Sequence, residues 1–94
     1  MYKPCPIDTS DIKLSPELEG ALEEVSRNIH EVWAKQKTED GWTYAPQTDE
    51  NKKTHRCIVE YESLSESDKR YDRNTVEQTV KSLLYMGYKI TKEN

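Results

Sequence analysis

Residues 15–37 read "SPELEGALEEVSRNIHEVWAKQK", and they decide the fold class. Ser15 is a strong helix N-cap and Pro16 suits the first helical position. Glu17 and Glu19 fall in the first turn, where the helix dipole favours negative charge. Leu18, Leu22, Val25, Ile29, Val32 and Trp33 then recur at helical spacing and form one apolar stripe. Gly20 is tolerated at a cost of about 1 kcal/mol relative to Ala. Lys35 and Lys37 come late and Gly41 offers a stop, which places one long helix from Ser15 to about Lys37.

Upstream, Pro4 and Pro6 keep Met1–Leu14 extended, with Ile7, Ile12 and Leu14 as apolar anchors. Downstream, Trp42 and Tyr44 alternate as a short strand does. Pro46, Asp49 and Asn51 then mark a polar loop that runs to His55. "CIVEY", residues 57–61, is β-branched and reads as a second short strand, with Ile58–Tyr61 pairing with Trp42–Tyr44 as a small hairpin. "SESD" from Ser65 has a capping-box pattern and predicts a short helical turn to about Tyr71. Asn74 is then read as the cap of a further helix carrying Val76, Val80, Leu83 and Leu84. Gly87 is placed to end it in the left-handed conformation, before an extended Tyr88–Ile90.

The chain has 94 residues, enough for a single domain (1–94) with one modest core. Mean hydropathy is −1.05 and only 33% of residues are hydrophobic. Two Trp and six Tyr, with no Phe, must supply much of the buried area. Tyr2, Tyr61 and Tyr88 are the expected core tyrosines. The net charge of −4 lacks the basic stripe that a nucleic-acid or anionic-membrane surface needs. No apolar run approaches a membrane span, and Met1–Pro6 is not a signal-peptide core. Cys5 and Cys57 form no CxxC pair and, without a secretion signal, are expected to stay reduced.

Chemistry is sparse. "HEVWA" at residues 30–34 holds the first half of a zinc-protease motif, but Ala34 replaces the second His. His55 is the one other histidine, so neither a metal site nor a cofactor is expected. There is no G-x-S-x-G and no glycine-rich phosphate loop, which argues against catalysis. The candidates are binding residues. Trp33 and Trp42 either fill the core where the helix meets the hairpin or keep a face open as a stacking platform, with Tyr44 beside them. Asn28, Lys52, Lys53 and Arg73 could orient a ligand on such a platform. "NKKTH", residues 51–55, is either a solvated loop tip or an anion contact through Lys52, Lys53 and His55. Asp72 and Arg73 read as ion pairs bracing the last helix. His30 is either a locally bonded helix residue or part of the ligand site.

The order "NIHEVWA", "GWTY", "DENKKTH", "LSESDKRYDRNT" and "LLYMGYKI" resembles the RyR domain, the repeat module of ryanodine receptors, over nearly the whole chain. Ala45 stands where that family often has Gly. The resemblance implies a mainly α (α+β) module: two longer antiparallel helices joined by a loop with a short β-hairpin, plus a short extra helical turn. It implies no catalytic activity and a cytoplasmic setting. The receptor repeats occur in tandem pairs, so a single copy is expected to pair with itself as a homodimer. The resemblance also implies a sensor or binding role, with a nucleotide-like small molecule as its ligand. A self-association module without any small ligand is the alternative.

Overall fold

The computed structural model describes residues 1–93. The first helix, α1, runs Pro16–Glu39 and begins where the sequence caps it. The Ser15 hydroxyl accepts the Leu18 N–H at 3.1 Å. Gly41, with φ of +91°, turns the chain away at the other end.

Two short strands follow, β1 (Thr43–Tyr44) and β2 (Thr54–His55). They pair in parallel, Thr43 opposite Thr54 and Tyr44 opposite His55. This corrects the expected hairpin. The reason lies in the loop between them, which folds back before β2 begins. Asp49 accepts the Asn51 N–H on its carboxylate at 2.9 Å, and Asp49 and Thr54 exchange two backbone hydrogen bonds of 3.0 Å. The reversal is therefore spent inside the loop, and β2 leaves it running alongside β1. Residues 57–60, read from sequence as strand, instead carry the chain to a 3-10 turn, η1 (Tyr61–Ser63).

The last helix, α2, runs Glu66–Tyr85 without a break. Ser65 caps it by accepting the Asp68 N–H at 3.1 Å and donates its own hydroxyl to Asp68 Oδ2 at 3.0 Å. The expected turn and the expected second helix are one element, because no Gly or Pro lies within it. Asn74 is an exposed residue inside that helix and not a cap. Gly87, with φ of +98°, ends it as expected, and the Tyr88 N–H reaches back to the Leu83 carbonyl at 3.1 Å.

α1 packs against both α2 and η1. The buried residues at this junction are Tyr61, Leu64 and Val76, with Ser26 and His30 from α1. This is a second correction. Val25, Ile29 and Val32 are 42%, 38% and 46% exposed, although they belong to the apolar stripe. α1 turns its polar edge inward because those polar groups are satisfied there. The Ser26 hydroxyl donates to the Leu22 carbonyl at 2.8 Å, and His30 bonds the Val59 carbonyl at 2.7 Å. Tyr2 and Tyr88 are also exposed, so Tyr61 is the one core tyrosine of the three expected.

No helix among the described residues is long and apolar enough to cross a membrane.

Candidate functional site

A cleft of about 150 Å³ opens where α1, the segment after β2 and the start of α2 meet. Its walls are largely apolar: the Trp33 indole, Leu64 beneath, and the Tyr71 ring at the mouth, 71% exposed. His30, His55, Cys57, Asp68 and Asp72 supply the polar atoms.

The aromatic wall is built from residues far apart in sequence. His30 stacks on Trp33 with ring centroids 5.6 Å apart and an interplanar angle of 24°. His55 meets Trp33 edge-on at 4.9 Å, and Trp42 lies 6.3 Å beyond His55. The Lys37 ammonium sits 4.3 Å from the Trp42 ring centroid. Both indoles are half-buried, Trp33 as cleft wall and Trp42 as its support.

The polar groups have distinct states. A carbonyl can only accept, so His30 Nε2 carries the hydrogen that it donates to Val59. His30 Nδ1 then faces Asp72 Oδ2 at 4.0 Å. His55 Nδ1 accepts the Cys57 N–H at 3.0 Å. Burial, aided by the positive charges of Lys37 and Arg56, holds the His55 pKa below its usual value and favours a neutral ring. The Cys57 thiol is pushed up by burial and by Asp68, to whose carboxylate it donates at 3.8 Å. It is therefore a poor thiolate nucleophile. Asp68 is held low by Arg56, which grips it with two nitrogens at 2.8 and 3.2 Å. Asp72 is different: burial raises its pKa, His30 only partly opposes that, and no Lys or Arg lies within ion-pair distance among the described residues.

Four sequence-predicted site residues come together here, namely His30, Trp33, Trp42 and His55. The others do not join them. Tyr44 is exposed on β1, and Asn28 is exposed on α1. Lys52 lines a separate shallow hollow with residues 45–49. Lys53 donates to the Asp40 carbonyl at 3.1 Å, closing the end of α1. Arg73 is taken up by Glu23, at 2.6 and 2.9 Å, and by Glu66 at 3.1 Å, which raises its pKa. It braces α1 against α2, as its sequence neighbourhood suggested. The loop cations thus do not face the Trp33 wall.

Sequence reading missed Tyr71, Asp72, Asp68 and Cys57 as cleft residues. A usable signal existed for three of them. With α2 taken as one helix from Glu66, positions 68, 71 and 72 fall on one face. Among the described residues no group of three or more His, Cys, Asp or Glu converges as a metal site.

The carboxylates and His55 set the pH response. Glu23 is lowered mainly by Arg73, Asp68 by Arg56 and Glu62 by Arg27. Each stabilises the fold above its unfolded pKa and loses that contribution as pH falls through the lower folded value. Asp72, raised by burial, has the opposite sign: its contribution is present at low pH and is lost as pH rises through the folded value. His55, held below its usual pKa, withdraws stability as pH falls through the histidine range, so urea midpoints measured from pH 8 downward are expected to fall there and to drop steeply below about pH 4. A midpoint still rising at pH 3 would contradict these pairings.

Comparison with protein families matches the chain to the RyR domain over residues 2–92.

Proposed function

The chain belongs to the RyR domain family, a family of non-catalytic modules, and on that premise we propose that it is itself a non-catalytic binding module. Its ligand is a small, flat, nucleotide-like molecule seated against Trp33 and Tyr71. The observation that carries this reading is the open aromatic cleft itself. Trp33 is half-buried and Tyr71 is held at the mouth with most of its ring in water. A large exposed ring beside an indole offers a stacking slot of the kind flat heterocycles occupy. Catalysis has no support from Cys57 or His55, whose protonation and bonding suit structure.

The test is a fluorescence and thermal-shift screen of nucleotides and nucleosides, with Tyr71→Ala as the probe variant. Tyr71 is exposed, so its removal should change stability by no more than about 0.5 kcal/mol. Binding should weaken about 5- to 150-fold, from the loss of about 1–3 kcal/mol of stacking. Unchanged affinity in Tyr71→Ala would place the ligand elsewhere.

A second reading, self-association, rests on a separate observation. The accessible surface is 7744 Å², against about 5,600 Å² for a monomer of 11.0 kDa. The radius of gyration is 16.1 Å, where about 12 Å is usual for this length. The extended ends contribute to the excess, and so does the Val25–Ile29–Val32 face of α1. A second copy covering that face would bury apolar surface that a lone chain leaves wet. Light scattering at rising concentration tests it: a homodimer is expected, and a monomer at the highest concentration removes this reading.

A further inference from the structure

We propose that the group this cleft receives at its floor is a planar nitrogen cation of the amidinium or guanidinium type, held by Asp72 and covered by Trp33 and Tyr71. The inference rests on the cleft being a ligand site, and it names the chemistry of the part that enters. It assigns a cationic edge to the flat ligand, where the sequence suggested an anion contact through the loop cations.

Three observations carry it. First, the cations that the sequence offered to an anion do not meet in the cleft: Arg73 is held by Glu23 and Glu66, Lys53 by the Asp40 carbonyl, and Lys52 lines a separate hollow, while Arg56 is taken up by Asp68 of the cleft. Second, Asp72 lines the cleft with no hydrogen bond among the described residues. Its neighbours are His30 on α1 and Asp68 on α2. His30 Nε2 is committed to Val59, and His30 Nδ1 stands 4.0 Å from Asp72 Oδ2, beyond hydrogen-bond distance. Asp68 is already neutralised by Arg56. Two carboxylate oxygens are thus open to donors. Third, Trp33 and Tyr71 both line a slot that is largely apolar, where a desolvated planar cation gains most from neighbouring aromatic rings. A planar cation with two parallel N–H groups matches both the slot and the carboxylate fork. A free ligand with an amidine edge and an arginine side chain on another protein share this chemistry.

The probes are benzamidine and benzoate, which have similar shape and opposite charge. They are titrated into the ¹⁵N-labelled full chain while the Trp33 indole N–H is followed by NMR. Benzamidine is expected to shift that resonance at concentrations at least tenfold below those benzoate needs. Asp72→Asn, of the same shape, should remove the difference, and a spectrum otherwise unchanged reports the intact fold. N-acetylarginine amide serves as a further arm. Tighter capture than benzamidine places the cation on a partner's side chain, and weaker capture places it on a free ligand; both support the inference. If benzoate or a nucleotide binds and Asp72→Asn leaves binding unchanged, the cation assignment falls while the cleft stands as a ligand site. If neither these probes nor any nucleotide moves Trp33, both readings fall.

Discussion

Replacing Tyr61 by Ala is expected to lower the unfolding free energy by about 3–5 kcal/mol, the range for removing a large buried ring. Tyr61 is 1% exposed and is the largest fully buried side chain. Arg27 and Lys69 lie 5.6 and 5.4 Å from its ring centroid. Its hydroxyl donates to Glu23 Oε1 at 3.0 Å, the same carboxylate that Arg73 holds. One side chain thus fills the space between α1, η1 and α2 and joins the ion-pair network that spans them. A chain of this length has a total stability of roughly 5–14 kcal/mol, so the loss is a large share of the whole. Tyr61→Phe keeps the ring and loses one hydrogen bond, which should cost only about 1 kcal/mol. Urea unfolding followed by circular dichroism reads both. An Ala variant within about 1 kcal/mol of wild type would mean the core lies elsewhere.

His30→Ala is expected to be the next most damaging change, at about 2–4 kcal/mol. His30 is 3% exposed. Its loss opens a cavity, strips Trp33 of its stacked neighbour and leaves the Val59 carbonyl without its donor. His30→Gln offers an N–H of similar reach and should recover part of the loss. No recovery in Gln would show that ring packing, and not the bond to Val59, is what matters. Because His30 also floors the cleft, the Trp33 emission should change in both variants, including at temperatures where the fold is intact.

The local punctuation of this sequence was easy to read, and the orientation of its helices was not. Ser15, Pro16, Gly41 and Gly87 do their work within a few residues, so helix ends and the mainly α plan follow from the sequence. The inward face of α1 was misjudged because hydropathy ranks Val25, Ile29 and Val32 above Ser26 and His30. The bond from Ser26 to its own helix and the bond from His30 to Val59 reverse that order, and the second spans residues 30 and 59. The parallel strand pair was hidden for a similar reason: it depends on a fold-back within the loop. At the cleft, "YDR" divides. Arg73 braces the helices as expected, while Tyr71 and Asp72 turn to the other side. That division became visible only once α2 was one continuous helix.

The fastening of residues 42–60 has a consequence for how the molecule breathes. Both helices carry their own caps and meet around Tyr61, whereas this segment is tied down by a two-residue strand pair, the Trp42–Lys37, Lys53–Asp40 and His30–Val59 bonds, the contacts of Arg56 and Cys57 with Asp68, and the half-buried rings of Trp42 and His55. Segments with few buried contacts open at a free energy well below that of global unfolding. In native-state hydrogen exchange the Thr43 and Ala45 amides should therefore exchange well ahead of the Val76 amide, and together, as one cooperative unit. Each such opening would lift His55 away from Trp33 while the helices stay folded, so one wall of the cleft would share the fluctuation of this segment and the other the rigidity of the helices.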